Sequence, residues 1–250
     1  MPDGSAGDAD YAEIGKVYTG FRTPDARIAA VIAAALGDAR TVLNVGAGTG
    51  SYEPEDREVT AVEPSASMRA KRPKDRPAVD ATAESLPFED KSFDAAMGTF
   101  TVHQWQDLKK GLAEVRRVTR GPVAFLTCDP ALVRRFWLDE YCPEVLITEA
   151  RRYPAIEDVL GERGRVVPVP VPLNCTDGFN EAYYGRPEML LVPAARQACS
   201  AWSFVEPAAQ ERFERDLRRD LADGAWDRKH GHLRTQPTLD GSLVLVVSES

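Results

Sequence analysis

Short apolar runs alternate along the chain with longer stretches in which apolar residues recur every three or four positions. Thr41 to Val45, Val59 to Val62, Phe93 to Met97, Val123 to Thr127 and Leu243 to Val247 are bounded by turn residues and read as buried strands. Ala78 to Ala81 reads as a weaker one. Ile28, Val31, Ile32 and Ala35 form a helical stripe, which Thr23 and Pro24 open as N-cap and first helical residue and Gly37 closes. A short helix is expected around Ser65 to Ala70. Leu108, Leu112, Val115 and Val118 give a further helix its buried face. Strands alternating with helices predict a parallel sheet covered on both faces and joined by right-handed crossovers.

The second half changes character. Helical patterns are expected over Ala131 to Glu140 and Ile156 to Leu160, and the valine–proline alternation from Val166 to Val171 suits an edge strand. Pro172 to Pro207 is rich in aromatics, prolines and glycines without a clear period, and a charged amphipathic helix follows from Ala208 to Leu221. Residues 172–240 are expected to form an insertion over the carboxyl ends of the strands, where open α/β sheets bind ligands. The chain then divides into a disordered N-terminus over 1–10 and one domain over 11–250, with its cofactor-binding half at 11–127.

Composition narrows the possibilities. A chain of 250 residues with 43% hydrophobic content supports one large core. No run of eighteen apolar residues occurs and the first ten residues lack a basic and apolar leader, so neither a membrane span nor a secretory signal is expected. A net charge of -8 disfavours a nucleic-acid partner, because duplex binding draws on neutralised phosphates. Cys128, Cys142, Cys175 and Cys199 are scattered without C-x-x-C spacing, which points to reduced thiols in the cytoplasm. His230 and His232 lack a nearby third ligand, so no metal site is indicated. No heptad repeat specifies an oligomeric state.

The chemistry concentrates after the first strand. Val42-Leu43-Asn44-Val45-Gly46-Ala47-Gly48-Thr49-Gly50 places glycines where a strand turns sharply and backbone amides must approach a ligand. Glu63 closes the next strand, where a carboxylate can accept hydrogen bonds from both hydroxyls of a ribose. Two nucleoside cofactors compete at this point. A dinucleotide site wants G-x-G-x-x-G and a helix N-terminus for the pyrophosphate; here Gly50 comes one residue early and Glu53, Glu55 and Asp56 stand where phosphates would sit. The linker from Gly50 to Val59 is also too short for a full crossover helix.

V-L-N-V-G-A-G-T-G, V-E-P-S-A-S-M, A-E-S-L-P-F-E-D-K-S-F-D and the helix ending E-V-R-R-V together resemble class I S-adenosylmethionine-dependent methyltransferases, within the type 11, menaquinone/ubiquinone-methyltransferase-like group. The resemblance covers about Tyr11 to Thr127. It implies a Rossmann-like, doubly wound α/β fold: a mostly parallel seven-stranded sheet with an antiparallel edge strand and a lid insertion. It implies S-adenosyl-L-methionine as cofactor and S-adenosyl-L-homocysteine as product. By the same resemblance, Gly46, Ala47, Gly48 and Gly50 lie along the methionine part, Glu63 with Pro64 and Met68 at the ribose, and Ala83 and Glu84 beside the adenine, with Thr99 at the end of the fourth strand. Asn44 stands where an acidic residue is common, and Thr82 where an aspartate often meets the adenine amine. Upstream, Tyr11, Tyr18 and Arg22 resemble a cofactor-covering segment. Arg22 could pair with a carboxylate and an aromatic ring could face the sulfonium.

Methyl transfer from a sulfonium gains chiefly from positioning and water exclusion, with a base useful for a hydroxyl acceptor. His103, after the fourth strand, is the candidate base; packing against the next helix is the structural alternative. Tyr11, Asp177, Tyr183 and Arg186 are the candidate acceptor-side residues, with a packed lid as the alternative for the last three. The expectation is methyl transfer to an O, N or C atom of a small specialised metabolite or quinone-like compound. The alternatives are a catalytically degenerate methyltransferase-like binding domain and an NAD-dependent oxidoreductase.

Overall fold

The computed structural model describes residues 20–161 and 163–249. Tyr11, Tyr18 and the first ten residues therefore lie outside the described residues. Helix α1 (Ala26–Ala35) buries Ile28 and Ile32, and its cap is Asp25 rather than Thr23. The Asp25 carboxylate accepts from the Arg27 N–H at 2.9 Å, satisfying one of the helix's open donors. Strand β1 (Thr41–Val45) follows, then β2 (Glu58–Val62), helix α2 (Ala66–Arg69), β3 (Ala78–Val79) and β4 (Ala95–Thr99). Helix α3 (Leu108–Val118), β5 (Val123–Cys128), α4 (Pro143–Arg152), α5 (Ile156–Leu160), β6 (Gly164–Pro168) and β7 (Val171–Pro172) come next. The chain continues through α6 (Pro193–Gln197), α7 (Pro207–Ala222), α8 (Ala225–His230), β8 (Thr238–Leu239) and β9 (Leu243–Ser248).

Among the described residues the main sheet has seven strands in the order β3-β2-β1-β4-β5-β9-β6. β1 through β5 run parallel, while β9 is antiparallel to both its neighbours. The antiparallel strand thus stands one place in from the edge, and β6 takes the edge itself. Pro170 separates β6 from β7, which leaves the sheet to pair with β8 in a two-stranded ribbon.

Alternation along the strands divides the core. Val42, Met97, Leu126 and Leu245 belong to the hydrophobic cluster on one face, and Leu43, Val45, Ala96, Phe125 and Val246 to the cluster on the other. Each such side chain contributes roughly 1.5–3 kcal/mol of burial. β1 pairs with β2 on one side and β4 on the other, so the order reverses there and a crevice opens at the carboxyl ends of these two strands.

Two local expectations are corrected. The helix read over Ala131 to Glu140 is a pair of 3-10 turns, Val133–Arg135 and Trp137–Glu140, separated by an extended Phe136. The Trp137 indole donates to the Tyr184 carbonyl at 2.9 Å, a tertiary contact that holds this irregular path. Helix α4 was not expected. Its buried residues Val145, Leu146, Thr148 and Arg152 form a weak stripe while Ile147 faces outward.

Candidate cofactor and acceptor site

The loop after β1 has the left-handed backbone its glycines permit, with φ of +68° at Gly46, +53° at Gly48 and +99° at Gly50. At Gly46 there is no room for a side chain either, since a Cβ would lie 1.8 Å from the Thr101 hydroxyl oxygen. The Ala47 N–H donates to the Val62 carbonyl at 2.9 Å, which fastens the loop to the end of β2. There Glu63 is 7% exposed, and its two oxygens accept from the Gly48 and Ser65 N–H groups, each at 2.8 Å. A carboxylate oxygen offers two lone pairs, so capacity remains on each for a ligand hydroxyl.

A cleft of about 300 Å³ opens over this carboxylate. Gly46, Glu63, Pro64, Met68, Ala83, Glu84 and Thr99 line it, which gathers seven of the residues singled out for the cofactor. Thr82, Phe100, Thr101, Gln104 and Trp105 also line it. Thr82 was singled out by the resemblance as standing near the adenine amine; for Phe100, Thr101, Gln104 and Trp105 only the crevice topology could have pointed to the cleft. Glu84 is held by the Gln106 and Asp107 N–H groups at 2.8 and 3.2 Å.

Ala47, Gly48 and Gly50 belong to the same loop without lining the cleft. Asn44 lies beneath it, fully buried, and its amide donates to the Glu53 carboxylate at 3.0 Å. Glu53 in turn pairs with the buried guanidinium of Arg72 at 2.8 Å. Only turns join β1 to β2. This buried pair fills the space beside Gly50, whose Cβ would come within 3.2 Å of either partner's side chain or close to it. Asp80 reaches away from the cleft to Arg69 at 2.6 Å.

The upstream and insertion residues meet each other. Arg22 pairs with Asp177 through Nε, and the Tyr52 hydroxyl donates to the second Asp177 oxygen at 2.8 Å. Burial and the Asp177 charge push the Tyr52 phenol well above its ordinary range. Tyr183 is buried, with the Arg186 guanidinium 5.5 Å from its ring centre. Arg186 donates to the carbonyls of Cys175 and Ala182 at 3.0 and 2.9 Å. Asp177, Tyr183 and Arg186 thus fasten the insertion, and none of the three lines either cavity of the site.

His103 lies in a 3-10 turn, Val102–Gln104, and is 6% exposed with its Nδ1 lacking a hydrogen-bond partner. Burial, then the charges of Arg152 and Arg22, hold its pKa down at about 3. It lines a second, smaller cavity of about 50 Å³, together with Arg22, Glu149, Arg152, Tyr153 and Asn180. Phe100 lines both cavities, which therefore adjoin at this residue; its φ of +51° is unusual for a bulky residue. Three of these residues, Glu149, Arg152 and Tyr153, come from α4 and its cap. No sequence signal pointed to them, because α4 itself carried none. His230 meets Glu140 at 3.4 Å on the surface, and no cluster suited to a metal occurs among the described residues.

Comparisons with known proteins agree with this geometry. Residues 43–125 match the family model described as a methyltransferase domain. A candidate methyltransferase from an antibiotic biosynthesis pathway of Anabaena variabilis ATCC 29413 superposes with a TM-score of 0.84 at 28% identity, covering 91% of this chain and 98% of that one. Demethylmenaquinone methyltransferase of Renibacterium salmoninarum is 38% identical over 86 residues, which are 32% of this chain and 36% of that protein. The uncharacterized methyltransferase YcgJ of Bacillus subtilis is 31% identical over 112 residues, 40% of this chain and 44% of that protein. The chain therefore spans less than half the length of these curated relatives. Residues 43–125 thus match a methyltransferase domain, and the fold as a whole is similar to that of the Anabaena protein.

Proposed function

We propose that the protein binds S-adenosyl-L-methionine in the larger cleft and transfers its methyl group to a small molecule held beside His103. The observation that carries this reading is Glu63, a buried carboxylate fixed by two backbone N–H groups with acceptor capacity left over the cleft. Asn44, Gly46, Ala47, Gly48 and Gly50 would form the floor under the methionine part, and Pro64, Met68, Ala83, Glu84 and Thr99 the walls around the ribose and adenine. A volume of about 300 Å³ suits a ligand of this class. Tyr18 and Arg22 would contribute from the upstream segment, Arg22 through the anchor it makes with Asp177.

Bound, the cofactor supplies a methyl group activated on a sulfonium. The protein's part is to align the acceptor and keep water away. Phe100 supports this division by lining both cavities, and the insertion over residues 172–240 supplies Asn180 and Cys199 to the acceptor side. Asp177, Tyr183 and Arg186 would then act on the acceptor indirectly, by holding that insertion in place. The acceptor is a specialised metabolite or quinone-like compound, a reading supported by the descriptions of the Anabaena and Renibacterium proteins. Four buried, free thiols support a cytoplasmic setting.

Calorimetric titration with S-adenosylhomocysteine, using NAD as the control, tests this reading. Binding of the homocysteine product alone is expected, and binding of NAD alone would overturn it. Product binding without methylation of any acceptor would indicate a degenerate binding domain.

A further inference from the structure

The smaller cavity contains a group that the sequence did not single out. Glu149 projects from the last turn of α4 into the space that His103 lines, and the Asn180 side-chain amide donates to it at 2.8 Å. Asn180 is fixed from its other end by the Trp202 indole, which donates to its carbonyl oxygen at 2.9 Å. The carboxylate is therefore aimed by a relay of two hydrogen bonds, the one from Trp202 buried and the one to Glu149 partly so. Beside it, His103 presents an Nδ1 without a partner. A cavity of about 50 Å³ admits only a few atoms, which is the reacting end of an acceptor rather than its whole body.

We propose that the acceptor presents a hydroxyl group in this cavity and that Glu149 takes its proton, while His103 positions the acceptor as a neutral ring. This inference rests on the function proposed above. The oxygen forms its bond to the methyl carbon as the carbon–sulfur bond breaks and its electron pair discharges the sulfonium. The O–H proton passes to the Glu149 carboxylate, so one positive and one negative charge disappear together.

The surroundings explain why the carboxylate rather than the imidazole accepts the proton. Charging His103 is opposed by burial and by the guanidiniums of Arg152 and Arg22, which leaves its pKa near 3 and makes it a poor proton acceptor. Glu149 moves the opposite way. Burial raises it above the ordinary carboxylate range, against the lowering effects of Asn180, Arg22 and Arg152. Cys128 and Tyr153 face it as neutral groups whose own ionisation it opposes, as does Cys199. Glu181, on the adjoining turn, is also pushed up, in part by the charge of Glu149. Protonation thus relieves a buried negative charge at the moment of transfer.

Infrared and NMR titrations of the full protein with S-adenosylhomocysteine test the assignment without a known acceptor. The carboxyl band that E149Q removes should titrate above the range of an ordinary glutamate, and the His103 ring signal, assigned by its loss in H103N, should not shift between pH 8 and pH 5. A Glu149 that titrates at or below the ordinary glutamate range, or a His103 that charges near pH 6, would overturn the proposal. For a phenol or enol that the wild type methylates, E149Q should keep its affinity for S-adenosylhomocysteine and lose about 100-fold or more in turnover, as removal of a proton acceptor does. Turnover within about threefold of wild type would also overturn it. Failure of S-adenosylhomocysteine to bind the wild type would instead defeat the cofactor reading, while the titrations of the free protein would still report on Glu149.

Discussion

Glu63 shows how a single side chain can join two strand ends into a site. Its oxygens hold Gly48 from the loop after β1 and Ser65 from the cap of α2, so the carboxylate itself is fixed by backbone rather than by mobile side chains. Replacing it by alanine removes the ligand's acceptor and releases both N–H groups. Glu63→Ala should weaken S-adenosylhomocysteine binding by about 1–3 kcal/mol, the range for losing hydrogen bonds to a charged group. Calorimetry on the folded variant measures this, and an unchanged affinity would remove Glu63 from the site. The place of this residue at the cleft was legible in the sequence because it depends on spacing alone: a glycine turn, one strand, then a carboxylate. Glu149 was not legible, because its role depends on a helix bringing it beside a loop that is 46 positions earlier in the chain.

Elements that carry regular periodicity were read correctly, and those held by single tertiary contacts were not. β1, β5 and β9 are largely apolar runs buried on both faces, so pattern and structure coincide. α4 buries a threonine and an arginine alongside two apolar residues, so its stripe resembles a solvated surface. The insertion is similarly opaque, since its order comes from contacts such as Asp177 with Arg22 and Tyr52 rather than from repeated spacing. In the sequence Asp177 and Arg186 look like ligands for a substrate; in the folded chain they secure the segment. Asp177→Ala should therefore lower the unfolding free energy by about 3 kcal/mol, the scale for breaking a buried ion pair. Tyr52→Phe, which deletes one neutral donor from the same carboxylate, should cost about 1 kcal/mol. Urea unfolding separates the two cases, and a loss below about 1 kcal/mol for Asp177→Ala would place the pair among exposed bridges of little consequence.

At the scale of the whole molecule, two buried groups near the acceptor side drive stability in opposite directions over one pH range. Glu181 is 6% exposed, accepts from the Ser242 N–H with both oxygens at 2.9 Å, and is raised by burial from 4.5 to about 7. The folded state thus binds its proton more tightly than the unfolded chain, so this stabilisation is complete below pH 4.5 and is lost as pH rises to 7. His103 is lowered from 6.5 to about 3, so the unfolded chain binds its proton more tightly and stability is lost as pH falls below 6.5. Glu149, raised by burial, acts in the same direction as Glu181. Between pH 4.5 and 6.5 each of the first two groups commands about 2–3 kcal/mol, taking 1.36 kcal/mol per pH unit, and their slopes oppose each other. His103 should consequently offset part of the fall that Glu181 and Glu149 impose on wild-type stability across this interval. Removing one member exposes the other: unfolding free energy should rise with pH in Glu181→Gln relative to wild type, and fall with pH in His103→Gln. Slopes, rather than absolute values, carry the test, because each substitution also adds a pH-independent offset from its lost contacts. Denaturant unfolding at four or five pH values would measure them, and three parallel curves would show that neither group titrates as its burial requires.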